Sequence, residues 1–250
     1  MGAKIHLPCV NRSDYLTTLN GRTIFMGFVH LQGVEQQFIE RFLAERKARG
    51  PFVSLENFMA RVPFSLEQLV LLIRGGAFSF TKKPKAELLW QAHLHKSDGK
   101  KEQPETLFQL ENQHFEFPDF TTNVLQNAFD EIELYGFPVS LTWFDLLKTK
   151  FRGELMACQM LNFIGQRYRM LGKLVTVKNF RTCKGDSMAL ATFIDATGEA
   201  FDTVLFPQVL RNYPFQGDGI YLLLGKVTEE FGQASLEVEK MGRLEYKELR

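Results

Sequence analysis

Alternation of apolar and polar positions in the last third of the chain predicts five short strands. In one of them, Leu236 and Val238 alternate with Glu237 and Glu239. A period of two is typical of strands that bury one face. Glycine-containing turns such as Thr197-Gly198 separate the strands. The predicted strands cover residues 169–181, 188–195, 200–206, 220–228 and 234–240.

A proline-led segment at 207–213 lies between the third and fourth predicted strands and is long enough for a short helix. Five strands with a helix in that place follow the order of the OB-fold, a small barrel that commonly binds oligonucleotides. We therefore expect an all-β OB-fold domain at residues 166–250.

Helical spacing of apolar residues dominates the first hundred residues. Stretches 24–49 and 65–95 are each predicted to form a short helix, a glycine turn and a longer helix. The helix predicted to start at Glu35 ends with a basic turn before Gly50-Pro51, as helix C-termini often do. Ser54 is a suitable N-cap for a helix that connects the two stretches. These features predict an all-α domain at 1–96 with tandem helix-hairpin-helix units.

A polar linker at 97–105 opens an acidic segment that we interpret as a connector at 97–165. Residues 130–135 and 141–151 are predicted to be helical within it. The complete fold class expected from the sequence is α+β and multidomain, with the helical domain first and the barrel last.

Composition is that of a globular protein, with 45% hydrophobic residues and 24 phenylalanines among 250 residues. Charge is unevenly distributed: residues 1–100 carry 14 Lys/Arg and 8 Asp/Glu, whereas 101–160 carry 4 and 10. The basic first segment suits a polyanionic partner, and the acidic middle does not. Three distant cysteines indicate neither a disulfide framework nor a zinc site. Without a signal-peptide core or an apolar run of roughly 18 residues, a cytoplasmic protein with no membrane partner is expected.

The glycine turns are the first candidate sites. Successive backbone amides at Gly33 and Val34, before a helix, can hold a phosphate, or the glycine simply allows the chain to turn. Gly75 is a weaker candidate of the same kind. Lys82, Lys83 and Lys85 follow it and form either a phosphate-binding patch or a solvated cluster.

The end of the first predicted barrel strand is the second candidate. Lys178, Phe180, Arg181 and Lys184 combine charge with a ring on which a base can stack, as single-strand binding requires. The alternative is that Phe180 belongs to the core.

Catalytic motifs are not found. His93 and His95 are two positions apart on a predicted helix and would point to different faces. Asp130, Glu131 and Glu133 could supply carboxylates for magnesium, but an acid-rich helix start is the usual cause of such a cluster. No catalytic residue, metal ligand or cofactor is therefore predicted in this chain.

Several short motifs follow one another in a characteristic order. They are LPCVNRS at 7–13, GFVHLQG at 27–33, RKARGPF at 46–52, LIRGGAF at 72–78, ELYGFPVS at 133–140, KGDSMA at 184–189, DATG at 195–198 and VLFP at 204–207. This ordered set resembles bacterial DNA polymerase III alpha subunits, replicative or error-prone, from the end of the fingers through the helix-hairpin-helix units to the OB domain. The resemblance covers nearly the whole chain.

The resemblance implies a C-terminal portion of such a subunit. Polymerisation and Mg²⁺ binding would then belong to a palm domain that has no counterpart here. Family hairpins grip duplex DNA, which assigns duplex contacts to Gly33, Val34, Gly75 and Lys85, and the OB domain lies near single-stranded template. Glu35 departs from the small residue usual at its position, and its carboxylate would repel phosphate.

The leading hypothesis is a DNA-binding module that supports replication or translesion synthesis near the nucleoid. Its partners would be duplex and single-stranded DNA, and a catalytic polymerase chain, a sliding clamp or other replisome subunits. An alternative is a protein-interaction adaptor whose barrel binds a replication partner. A nuclease is a third possibility that lacks a metal-ligand set.

Overall fold

The computed structural model describes residues 4–98, 123–181, 185–230 and 232–248. It divides the chain into two compact units, Met1–Leu141 and Thr142–Arg250. We call them the helical unit and the barrel unit. The described residues of the predicted connector fall into both: those before residue 142 lie in the helical unit, and the rest lie in the barrel unit.

The helical unit begins with a small sheet and continues with five helices. Its strands are β1 (Lys4–His6), β2 (Thr18–Asn20) and β3 (Thr23–Phe25), in the order β1-β3-β2. A 3-10 helix at Phe28–His30 follows, and a second lies at Ser79–Thr81. The helices are α1 (Gln36–Arg49), α2 (Leu55–Arg61), α3 (Leu66–Arg74), α4 (Lys85–Asp98) and α5 (Val124–Tyr135).

Phenylalanine rings packed edge to face form the core of this unit. The fully buried ring of Phe58 lies with its centroid 4.8 Å from that of Phe52 and 5.1 Å from that of Phe78. Phe42 similarly meets Phe28 at 5.0 Å. Edge-to-face pairs at these distances add stabilisation beyond area burial. The cluster therefore explains why this part of the chain is rich in phenylalanine.

One detail of the predicted helical pattern is wrong. Residues 24–31 are not helical: β3 pairs with both β1 and β2, and only Phe28–His30 winds into a 3-10 turn. Gly27 explains the break, because a Cβ there would lie 2.3 Å from the backbone carbon of Leu16. The second stretch is as predicted: α3 ends at Gly75-Gly76, and α4, which packs against α3, begins at Lys85.

The caps and the last helix are close to expectation. Ser54 caps α2 through a bond from the Asn57 amide at 3.1 Å, as predicted. The helix predicted at 130–135 exists and extends back to Val124. By contrast, the helix predicted at 141–151 is wrong, because that segment forms turns. There the Asp145 carboxylate accepts a bond from the Thr142 amide at 2.9 Å.

The barrel unit is a closed five-stranded barrel, and all five predicted strands are confirmed with small shifts of their ends. The strands are β4 (Arg167–Arg181), β5 (Ser187–Ile194), β6 (Ala200–Leu205), β7 (Ile220–Glu230) and β8 (Gln233–Arg243), and a 3-10 helix at Ala157–Phe163 precedes them. The predicted short helix is α6 (Pro207–Asn212), between β6 and β7. The closed order β4-β5-β6-β8-β7 is that of an OB-fold.

A register shift between Leu174 and Thr176 bends β4 and explains the irregular alternation in its sequence. Beside it, a Cβ on Gly172 would lie 2.5 Å from the Cβ of Phe193, so only glycine lets the strand pass over that ring. Inward-facing Phe193, Phe201 and Tyr221 fill the barrel. The outward residues of β4 and β5 therefore take no part in this core.

Candidate nucleic-acid interface

The first hairpin, Leu31 to Glu35, is held in shape by a side chain of α3. The Gln68 amide group accepts from the Glu35 backbone N–H at 2.8 Å and donates to the Gly33 carbonyl at 3.0 Å. Gly33 itself has a φ of 80°, which favours glycine. Among the described residues, no acceptor is bonded to the amides of Gly33 and Val34. The N–H groups of Gly33 and Val34 can therefore donate to a phosphate, whereas the N–H of Glu35 already donates to Gln68.

Two carboxylates, those of Glu35 and Glu40, follow these free amides at the start of α1. Glu35, Gln36, Gln37 and Glu40 line a shallow depression at the start of α1, and all four are exposed. A negative side chain stabilises a helix N-terminus but repels phosphate at the same place. The first hairpin thus has the backbone geometry for an anion without a favourable electrostatic field.

Gly75 is a packing position. Its amide donates to the Leu71 carbonyl at 2.9 Å, and its carbonyl accepts from the buried Tyr135 hydroxyl at 2.6 Å. A Cβ at Gly75 would lie 2.7 Å from that hydroxyl oxygen. Burial also raises the pKa of Tyr135, so the hydroxyl remains a donor. Both backbone groups of Gly75 are engaged, and neither faces a ligand.

The three lysines after Gly75 lie in different environments. Lys82 is exposed, Lys83 holds Glu87 at 2.8 Å, and Lys85 is half-buried with its Nζ 3.5 Å from Asp130. Burial lowers the pKa of Lys85, although the neighbouring Asp130 opposes that effect. Only Lys82 is without a carboxylate partner in the part of the chain that the structure describes.

Asp130 also binds a second cation. The Arg74 guanidinium lies 2.7 Å from Asp130 and 2.5 Å from Glu133, and the bonds to these carboxylates raise the pKa of Arg74. The acidic residues that the sequence suggested for magnesium therefore fix α5 against α3. Glu131 accepts instead from the amides of Val139 and Ser140, at 2.6 and 2.8 Å.

The turn between α2 and α3, residues 62–65, offers little to a phosphate. Ser65 caps α3 by accepting from the Gln68 amide at 3.3 Å, and Pro63 has no N–H to offer a ligand. Glu67 stands in the first turn of α3, as Glu35 precedes α1. Like the first hairpin, this turn brings a carboxylate to the helix start.

The exposed end of β4 has the opposite character. Lys178 and Phe180 share the outer face and lie opposite Leu190 and Met188 of β5. Phe180 is 46% exposed, which excludes the alternative that it belongs to the core. Arg181 follows at the strand end and is also exposed. Lys184 lies outside the described residues.

The two ends of β4 differ in whether their basic side chains form ion pairs. Arg167 bonds to Glu239 at 2.6 Å, Arg169 bonds to Glu154, and Lys173 bonds to Asp218. Lys178 and Arg181 have no carboxylate partner among the described residues. Their charges are therefore free to act on a ligand, and those at the start of the strand are not.

Phe206 extends this surface and was missed from sequence. It is 43% exposed and lies one residue beyond Leu205, which pairs with Ala189 of β5. An aromatic residue directly before the proline that opens α6 was the available signal. Together with Leu190, which is 40% exposed, it gives the outer face an apolar component.

Neither a metal site nor a membrane-spanning helix is present in the described ranges. Within the described ranges, no group of three or more His, Cys, Asp or Glu side chains could hold a metal ion. Of the helices in those ranges, none is both long and apolar enough to cross a bilayer. Cys9 is buried and Cys158 exposed, both as free thiols.

Fold and interface together define a helix-hairpin-helix domain combined with an OB-fold barrel. The family model for the helix-hairpin-helix motif matches residues 2–88. The resemblance to DNA polymerase III alpha subunits is confirmed: the chain is 26% identical over 249 residues to that of Staphylococcus epidermidis, covering 95% of this chain and 23% of the relative. The subunit of Aquifex aeolicus is 26% identical over 83% of this chain and 18% of its own length.

Error-prone DNA polymerase of Mycolicibacterium paratuberculosis is 34% identical over 93 residues, which cover 36% of this chain and 8% of that protein. The chain thus spans less than a quarter of the length of these relatives. Among solved structures, the second OB-fold domain of replication protein A from Methanococcus maripaludis is 20% identical with a TM-score of 0.26, covering 35% of this chain and 91% of that domain. A TM-score of 0.26 is too low to support the fold, which therefore rests on the strand order of the barrel.

Proposed function

We propose that this chain is a DNA-binding region of a protein related to DNA polymerase III alpha, and that the outer face of its barrel binds single-stranded DNA. The observation that carries the proposal is the exposed ring of Phe180, with Lys178 on the same face of β4 and Arg181 next to it at the strand end. A ring offers a stacking platform for a base, and unpaired cations follow the phosphate backbone. Phe206 provides a second ring on the same unit.

Duplex contact through the first hairpin is the second part of the proposal. The free amides of Gly33 and Val34 would position a phosphate without reading sequence. The Glu35 carboxylate weakens this contact, so we expect the barrel to contribute more of the affinity. In replication or translesion synthesis, the chain would hold DNA for a polymerase palm that supplies Mg²⁺ and chemistry, beside a sliding clamp or other replisome subunits.

The direct test uses the full chain and a labelled oligothymidylate. Replacing Phe180 by alanine removes a stacking contact worth about 1–3 kcal/mol, so the dissociation constant should rise by roughly 5- to 150-fold. Val175→Ala is the matched control, because Val175 is 55% exposed on the same strand. Fluorescence anisotropy measures both. Equal affinity for the two variants would contradict the proposal.

A protein-interaction adaptor is the second candidate function. The apolar residues Leu190 and Phe206 beside Phe180 favour it, because clustered exposed apolar side chains are common at protein interfaces. Capture of a purified clamp or polymerase chain that is lost in Leu190→Ser, with no oligothymidylate binding, would select this function. Oligothymidylate binding that survives Leu190→Ser and is lost in Phe180→Ala would reject it.

A further inference from the structure

A cleft of about 520 Å³ lies in the helical unit beside the small sheet. One wall comes from β1 and the segment after it, and the other comes from the 3-10 helix Ser79–Thr81 and residues 139–140. Pockets that bind small molecules typically have volumes of roughly 300–1,000 Å³. The cleft therefore has the size of a ligand site, and Lys82 is the one residue of its lining that the sequence had suggested for phosphate binding.

The charges in the cleft have one sign. Arg12 and Lys82 line it, and no aspartate or glutamate does. Neither cation has a carboxylate partner in the described part of the chain. Arg46, by contrast, is paired with Asp14 at 2.6 Å. An adjoining depression of about 380 Å³ shares Lys82, and its one acid, Glu131, is occupied by backbone amides.

Lys82 has an unusual backbone conformation. With φ 59° and ψ 12° it is the one non-glycine residue with positive φ in the described ranges. The conformation costs roughly 1–2 kcal/mol in an L-residue. A bond from the Lys82 amide to the Ser79 carbonyl at 3.2 Å holds it. Strained residues concentrate at functional sites, so the strain at Lys82 points to a role for this cleft.

The cleft also offers flat apolar surface. His6 of β1 and Phe25 of β3 lie opposite each other in the sheet, and their rings stack at 5.4 Å with an interplanar angle of 13°. Phe80 and Val139 continue the apolar lining. Rings of this kind accept a planar heterocycle, and the two cations accept a phosphate.

We propose that this cleft binds a nucleotide bearing a terminal phosphate, with the phosphate at Arg12 and Lys82 and the base against the His6–Phe25 pair. The same chemistry is presented by a free nucleoside monophosphate and by the phosphorylated end of a DNA strand. The proposal does not depend on single-strand binding by the barrel.

Calorimetry of the full chain with five probes tests it. The probes are adenosine 5′-monophosphate, adenosine, inorganic phosphate, and an oligothymidylate with either a 5′-phosphate or a 5′-hydroxyl. Adenosine 5′-monophosphate should bind at least about tenfold more tightly than adenosine or phosphate alone. If only the oligothymidylate discriminates by its 5′-phosphate, the source is a strand end; either result supports the cleft.

The matched variants are Arg12→Gln/Lys82→Asn and Lys47→Gln. Asparagine tolerates positive φ, so the fold at position 82 is kept while the charge is removed. Lys47 is exposed on α1 and does not line the cleft. The double variant should lose about tenfold or more in affinity and the control should lose none. The proposal is overturned if no probe discriminates by its phosphate, if phosphate alone binds as well as the nucleotide, or if both variants behave like the parent chain.

Discussion

The helical unit and the barrel unit use their basic side chains differently. In the helical unit, Arg74 and Lys85 share Asp130, and Lys83 holds Glu87. At the end of β4 in the barrel unit, Lys178 and Arg181 are near the exposed ring of Phe180 in sequence, and neither has a carboxylate partner among the described residues. Nucleic-acid affinity depends on charges that remain free. The cations around Asp130 and Glu87 are therefore less available to an anionic ligand than those at the end of β4.

The two units also satisfy their least exposed aspartates differently. Asp130 is neutralised by cations, whereas Asp195 in the barrel is 2% exposed and accepts from backbone amides and the Thr197 hydroxyl. Burial alone would raise the pKa of Asp195, but these hydrogen bonds outweigh it and hold the pKa below its ordinary value. Because neutral groups satisfy this carboxylate, no barrel cation is needed for it.

The largest expected effect follows from Asp195. In Asp195→Asn, an NH₂ group would replace a carboxylate oxygen that accepts from backbone N–H groups. This change should lower the free energy of unfolding of the barrel by about 2–4 kcal/mol at pH 7. The folded carboxyl has the lower pKa, so its stabilisation is present above the unfolded pKa of about 3.9 and is lost as pH falls through the folded value. The difference between variant and parent should therefore shrink below about pH 4.

Urea unfolding measures this stability difference for each unit separately, because each unit contains one of the two tryptophans. In a Trp90→Phe background the fluorescence of Trp143 reports the barrel, and in a Trp143→Phe background Trp90 reports the helical unit. A difference that is unchanged between pH 7 and pH 3 would contradict the assigned role of Asp195.

Gly75→Ala tests whether this glycine packs or binds. Its Cβ would clash with Tyr135 and Leu31, so we expect a loss of about 1–3 kcal/mol in the unfolding free energy of the helical unit. Gly242→Ala is the control, because a Cβ there meets nothing within 4 Å. A stable Gly75→Ala variant with weakened duplex binding would restore the phosphate-binding interpretation.

Asp130→Asn and Glu133→Gln compare the two carboxylates that pair with Arg74, one largely buried and one exposed. The Asp130 side chain is 12% exposed and serves two cations, so its loss should cost about 1–2 kcal/mol. The Glu133 side chain is 62% exposed, and its loss should cost less than about 1 kcal/mol. The Trp90 signal in urea measures both. Equal costs would mean that burial does not determine the strength of this cluster.

Glu35→Gln is the smallest expected change. Removal of the carboxylate beside the free amides should strengthen duplex binding a few-fold, at a cost of about 0.3–1 kcal/mol in stability of the helical unit. Glu199→Gln, an exposed carboxylate in the barrel unit, removes the same charge elsewhere. Duplex affinity that rises equally in both variants would mean that net charge, and not the hairpin, is responsible.

Prediction from sequence succeeded where the signals are local. Period-two alternation and turn residues located every barrel strand, and Pro207 located α6. It failed at residues 24–31, because β3 depends on pairing with strands elsewhere in the sheet. The role of Gly75 depends on Tyr135, 60 positions away, and the state of Lys85 depends on Asp130, 45 positions away. Contacts between such distant residues leave no periodic trace, so packing and binding glycines look alike in sequence.

The salt dependence of single-strand binding tests the central claim most directly. Each phosphate contact contributes about −0.7 to the slope of log K against log salt concentration for single strands. Lys178→Gln/Arg181→Gln should therefore make the slope shallower by about 1.4, whereas Arg167→Gln/Arg169→Gln, whose cations are paired, should leave it unchanged. Identical slopes for the parent chain and both variants would contradict the claim that the free end of β4 holds the strand.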